Sequence, residues 1–191
     1  MKTSGTKCQK DKSIVSFIII VILIVLFDHL TKYYVLKFYG PAENFLIARG
    51  NFSITLVKNT GAAFGIFKGI SFFRVIFIFF SLAALFAVFF FRKYFLKGPL
   101  YFFMGVSFLA GGTIGNLIDR IFRGYVVDFI DVDIPDINVE FAGIFLDRWP
   151  VFNIADSCIC AGTFLILFYL WRHDIGKSNS AEDVKNASGY F

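Results

Sequence analysis

Two aspartates stand in apolar company without a partner of their own. Asp128 lies within Val126-Val127-Asp128-Phe129-Ile130, and Asp156 lies six residues into the apolar run that begins at Val151. Neither has a basic residue three or four positions away. If the two carboxyl groups face each other, burial and mutual repulsion leave one protonated and the other ionised at neutral pH. The ionised member can take a proton from water, while the protonated member hydrogen-bonds a peptide carbonyl and later helps protonate the leaving amine. That is the chemistry of peptide hydrolysis, with no side-chain nucleophile, metal or other cofactor required. Competing routes are poorly served. His29 and His173 are the only histidines and form no HExxH-type pair, and Ser157 and Cys158 have no histidine near them in sequence.

The remaining polar residues inside apolar stretches fall into short clusters. Asp28 and Lys32 are four apart, Asn116, Asp119 and Arg120 stand at i, i+3 and i+4, and Asn153 and Asp156 are three apart. Each spacing places its members on one helix side. Asp28 with Lys32 and Asp119 with Arg120 read as structural ion pairs, since opposite charges neutralise one another cheaply within an apolar medium. Asn59-Thr60-Gly61-Ala62-Ala63-Phe64-Gly65 combines a permissive turn with small residues, leaving close backbone approach and a purely structural turn as equal readings. Gly111-Gly112-Thr113-Ile114-Gly115 is spaced for tight helix packing, and Cys158 and Cys160 read as packed thiols.

The elements that must hold these groups follow from composition. Of 191 residues 57% are hydrophobic, 28 are Phe and only 17% are charged, against roughly 25% charged in a soluble domain. A water-soluble core of this size could not cover so much apolar surface, and a disordered chain is excluded. Runs long enough to cross a hydrocarbon core predict helices over about 14–36, 70–91, 98–118 and 151–171. The reading is thus an all-α membrane protein, four transmembrane helices with a small extracytoplasmic β element, forming a single domain over residues 1–173. The first run also has the make-up of a secretory signal peptide, but no small-residue cleavage site follows Phe27 and the apolar pattern continues to Leu36. The net charge of +5 gives no nucleic-acid surface, because the basic residues flank the apolar runs instead of clustering on one face.

Lys2, Lys7, Lys10 and Lys12, then Arg92, Lys93 and Lys97, then Arg172, Lys177 and Lys185 mark three cytoplasmic segments. Both termini are therefore expected inside, with residues 37–69 and 119–150 outside. Asn51 to Val57 alternates at period two and predicts a strand or hairpin. For 119–150 extended structure and a mobile flap remain alternatives, and residues 174–191 read as a disordered tail.

In order along the chain, Asp28-His29-Leu30-Thr31-Lys32, Asn59 to Gly65, Gly111 to Arg120, Val126-Val127-Asp128-Phe129 and Phe152-Asn153-Ile154-Ala155-Asp156 resemble the successive motifs of lipoprotein signal peptidase, the type II signal peptidase of bacterial membranes. The resemblance covers about residues 14–171 on a four-helix topology. It implies an aspartic endopeptidase of the bacterial inner membrane that removes the signal peptide from diacylglyceryl-modified prolipoproteins, on the N-terminal side of the lipidated cysteine, and that is blocked by globomycin-type cyclic peptides. The catalytic pair of that family maps onto Asp128 and Asp156. Its supporting residues map onto Asp28, Lys32, Asn59, Gly61, Asn116, Asp119, Arg120, Asn153 and Ala155. The expected partners are lipidated precursors and membrane lipids, with the protein acting as a monomer. The stretch carrying Asp131, Asp133, Asp136, Glu140 and Asp147 looks longer and more acidic than is usual there. From another class, a small proton-coupled transporter or channel would also use intramembrane carboxylates, but residues 1–96 show no likeness to 97–191, as inverted repeats would require.

Overall fold

Charge-free apolar runs become helices because each backbone polar group must be satisfied within the segment when water is absent. The computed structural model describes the backbone of residues 4–39, 44–48, 52–61, 71–132, 139–141, 144–146 and 149–188, with side chains described over 14–39, 52–61, 72–132 and 149–173. In chain order the elements are helix α1 (Ser4–Phe38), strands β1 (Asn44–Ala48) and β2 (Phe52–Asn59), helices α2 (Ser71–Phe90), α3 (Arg92–Lys97) and α4 (Leu100–Phe122), strands β3 (Val126–Val132), β4 (Val139–Phe141) and β5 (Ile144–Leu146), and helix α5 (Ile154–Ser188). Four helical segments are long and apolar enough to cross a membrane, Ile14–Phe38, Phe72–Phe90, Leu100–Phe122 and Ile154–His173. All four predicted spans are present.

The four are not equivalent. In α4 56% of the spanning window is buried, against 6%, 0% and 11% in the others, so α4 is the central helix and α1, α2 and α5 pack around it. The outward faces of those three carry large apolar side chains such as Leu23, Phe79, Phe86 and Phe164, which suits a hydrocarbon surrounding and would be untenable in water. Tight seams join α4 to its neighbours. A β-carbon at Gly112 would come within 2.3 Å of the Ala155 carbonyl oxygen, and one at Gly111 within 2.9 Å of Ile24. The glycine-rich run is therefore a packing surface for α1 and α5 together.

Pro99 opens α4, where its fixed φ suits the residue before the first turn. The helix runs past the predicted boundary at Ile118 to Phe122, so Asn116, Asp119 and Arg120 share its last turns, as their i, i+3, i+4 spacing requires. Gly124, at φ +81°, ends it, with the N–H groups of Arg123 and Gly124 donating to the Asp119 carbonyl. The chain then enters β3 directly.

The predicted hairpin exists as β1–β2, and β3 joins it to make an antiparallel sheet of order β1-β2-β3. β2 faces β3 in a register that sets Val57 opposite Asp128 and Asn59 opposite Val126, with a bulge between Ile54 and Val57. Of the two alternatives for 119–150, extended structure holds for the described part, since β4 and β5 form a second hairpin. The link carrying Arg92, Lys93 and Lys97, for which the sequence makes no structural prediction, contains the short helix α3. The chain beyond His173 continues as helix to Ser188 instead of being disordered, because extending a helix already nucleated by a packed span fixes one residue per added bond, without a fresh nucleation cost. Cys160 also departs from a packed thiol, being exposed on α5.

Candidate active site

Three elements converge at the sheet end of the bundle. On the side of β3 away from β2, the N–H groups of Phe129 and Ile130 donate to the Phe152 carbonyl (3.0 and 2.7 Å), and Phe152 N–H donates back to Ile130 (3.0 Å). This bridge brings the start of α5 against β3, so that Asn153 and Asp156 arrive beside Asp128. Asn153 caps α5, its Oδ1 accepting from Asp156 N–H at 2.8 Å while its own N–H donates to Asp156 Oδ2 at 3.2 Å. A reciprocal cap of this kind is favoured at a helix start, where a carboxylate also meets the positive end of the helix dipole.

The same asparagine reaches the other carboxylate. Asn153 Nδ2 donates to Asp128 Oδ1 at 2.7 Å, and Asn59 Nδ2 donates to Asp128 Oδ2 at 2.9 Å. Asn116 Nδ2 donates to Asp156 Oδ1 at 2.7 Å. Both carboxyl groups are thus hydrogen-bonded to one residue, Asn153, and belong to one network. Burial pushes Asp128 up to about 6, and the charge of Asp156 pushes the same way, against the hydrogen bonds from Asn59 and Asn153 and the charge of Lys32.

Beneath this network is a buried ion cluster. Lys32 is wholly enclosed, with its ammonium 2.8 Å from Asp28 Oδ2 and 2.9 Å from Asp119 Oδ2. It also donates to Asn116 Oδ1 at 3.1 Å. A lysine removed from solvent is tolerable only when its charge and its donors are matched, and here each of the three neighbours is an oxygen. Asp28 reaches further, its Oδ1 accepting from Ala155 N–H at 3.0 Å, so a side chain of α1 satisfies a backbone donor in the first turn of α5. The expected pair Asp28–Lys32 is present. The expected pair Asp119–Arg120 is not: Asp119 pairs with Lys32 and Arg123, and accepts from Val127 N–H. Arg120 instead lies over the ring of Phe77 at 4.9 Å from its centroid, and is attracted by Asp156 and Asp128 ahead of Asp119.

All eleven sequence-predicted residues therefore gather at one place, Gly61 joining through its N–H, which donates to Asn59 Oδ1 at 2.8 Å. Arg123 is a further member, signalled in the sequence by its i+4 spacing from Asp119. Asp131, which the sequence groups with an acidic loop, does not lie in one. It is buried in β3, and its Oδ2 accepts from Ser53 and Thr55 hydroxyls (3.1 and 3.0 Å). Phe77, an apolar residue on an apolar helix, offered no sequence signal.

Four apolar helices capped at one end by a small sheet, with buried carboxylates where they meet, define a multi-pass membrane protein of the enzyme class whose polar site is built into the end of its bundle. A model of the signal peptidase (SPase) II family matches residues 20–172. Proteins named lipoprotein signal peptidase are similar over most of their length: that of Halothermothrix orenii is 34% identical over 82% of this chain and 95% of its own, that of Staphylococcus aureus 36% over 85% and 91%, and that of Bacillus subtilis 35% over 87% and 99%. A solved bacterial membrane enzyme superposes with a TM-score of 0.69 at 32% identity, covering 86% of this chain and 92% of that one. The chain belongs to the signal peptidase II family and is a membrane peptidase.

Proposed function

We propose that this protein is an aspartic endopeptidase that cleaves the signal peptide from diacylglyceryl-modified prolipoproteins on the N-terminal side of the lipidated cysteine, with Asp128 and Asp156 as its catalytic pair. Family membership and the relatives named lipoprotein signal peptidase support the substrate class. The observation that carries the mechanism is the bridging of both carboxyl groups by Asn153. Asp128, buried and raised to about 6, holds the shared proton and donates it to the scissile carbonyl oxygen. Asp156, in the first turn of α5, takes a proton from the attacking water. The water oxygen bonds to the carbonyl carbon, and the tetrahedral intermediate collapses with rupture of the C–N bond. The proton taken from water passes from Asp156 to the departing amine, and as the C–N bond breaks a hydroxyl of the gem-diol intermediate returns its proton to Asp128, leaving the free acid. Asn59 and Asn116 hold the two carboxyls in place, and the cluster of Asp28, Lys32 and Asp119 fixes Asn116.

The basic flanks support a topology with both chain ends in the cytoplasm and the sheet on the outer face. A precursor anchored by its lipid would then enter from the bilayer plane. The test is incubation of the purified protein with a diacylglyceryl-modified precursor, with and without globomycin. Asp128→Asn and Asp156→Asn are each expected to reduce cleavage by about 10³-fold or more while leaving a folded protein of normal elution volume. Retained cleavage in either variant removes that carboxylate from the mechanism.

A further inference from the structure

α2 enters the site through an aromatic ring, and that ring touches two of the arms that reach the carboxyl pair. One is the turn at Gly61, whose φ of +82° admits no ordinary side chain without strain. A β-carbon there would lie 3.0 Å from both Cδ2 and Cε2 of Phe77, so the ring rests directly on the turn. The turn's N–H donates to Asn59 Oδ1, which leaves Asn59 Nδ2 to face Asp128 Oδ2. The second arm is Arg120, whose guanidinium lies over the Phe77 face at 4.9 Å while being drawn to Asp156 and Asp128. A ring face holds a guanidinium by its quadrupole and by stacking, and an aliphatic side chain of similar size offers neither.

From these contacts we infer that Phe77 is a positioning residue for peptide cleavage, holding the Asn59 turn and Arg120 in register with the carboxyl pair. The inference rests on Asp128 and Asp156 being that pair. Phe77 acts through its neighbours and exchanges no proton. Among the described residues, the charged groups that act on Asp128 include Asp156 on α5, Lys32 on α1 and Arg120 on α4. Release of Asn59 or of Arg120 would each stabilise the protonated form of Asp128, so both arms predict the same sign.

The experiment compares the full chain with Phe77→Leu, Phe77→Tyr and, as a control on the outward face of the same helix, Phe79→Leu, using a diacylglyceryl-modified precursor peptide over a range of pH. Phe77→Leu is expected to lower kcat by about tenfold, with KM nearly unchanged and the alkaline limb of the profile moved upward. Phe77→Tyr, which keeps the ring face, should restore both, and Phe79→Leu should match the unaltered protein. In an Asn59→Ala background Phe77→Leu should move the limb less, because one of its two routes is already cut. If Phe77→Leu does not yield folded protein, Phe77→Met removes the ring at similar length and reads the same comparison. Unaltered kcat and pH limb, or a change confined to KM, overturns the inference, the latter marking a groove wall instead. Asp128→Asn and Asp156→Asn run beside them separate the two failures. If they are inactive while Phe77→Leu is normal, the ring's role falls and the pair stands. If either retains cleavage, the pair falls and the Phe77 inference with it.

Discussion

Asn116 shows how a single amide acquires a direction. An ammonium has donors only, so Lys32 at 3.1 Å must face Oδ1 of Asn116, and Nδ2 is thereby turned toward Asp156 Oδ1 at 2.7 Å. The buried charge of Lys32 thus reaches the carboxyl pair by orienting a neutral side chain. A pH dependence follows from Asp128, whose proton is retained to about 6 chiefly by burial. In the proposed mechanism deprotonation removes the acid of the pair, so kcat/KM, which reports the free enzyme, should fall as pH rises through about 6. Removal of the Asn59 donor by Asn59→Ala should shift that limb upward, since its hydrogen bond favours the ionised form. Initial rates at low substrate across pH 4–9 check both, and a downward shift in Asn59→Ala would contradict the assignment. At this scale the i, i+4 rule found Asp28 with Lys32 and would have found Asp119 with Arg123. Adjacent residues such as Asp119 and Arg120 point about 100° apart around a helix, which is why that pairing does not form.

Between elements, two contacts bring the carboxylates together. One is the Phe152 bridge to β3, which sets the height of Asn153. The other is the α4–α5 seam, where Gly112 lies under the Ala155 carbonyl one residue from Asp156. Gly112→Ala would place a β-carbon 2.3 Å from that oxygen, and a backbone atom in a helix cannot step aside, so the helices must part. The expected loss is about 1–3 kcal/mol of stability, seen as a lower thermal midpoint in detergent, together with reduced cleavage from a displaced Asp156. An unchanged midpoint would mean the seam has slack that the close approach denies. The glycine run pointed to tight packing from sequence alone. Its partners, Ile24 on α1 and Ala155 on α5, lie too far away in the chain for spacing to name them.

For the molecule as a whole, the hydrocarbon surroundings decide what counts as stable. Leu23, Phe79, Phe86 and Phe164 stand exposed because lipid is as good a neighbour for them as a protein core, while the polar side chains turn inward around α4. In the proposed topology four crossings leave the two ends of the chain on one side, the cytoplasmic one by the distribution of basic flanks. Reporter fusions at the two ends and within the β4–β5 region should therefore report opposite compartments, cytoplasmic for the ends and external for the hairpin. The reverse result would place the site on the inner face and remove access by precursors already across the membrane.

Sequence by itself determined the four spans, the β element between the first two, and the isolation of Asp128 and Asp156 from any local counter-charge. These are properties of composition and near-neighbour spacing, set by the cost of exposing backbone and charge to hydrocarbon. The tertiary structure decided that Asp119 also holds Lys32, that Asn153 spans both carboxyls and that the ring of Phe77 lies against the site. Those contacts join segments tens of residues apart. Their energies depend on distances of a few ångströms that only the β3–Phe152 bridge and the glycine seams of α4 establish.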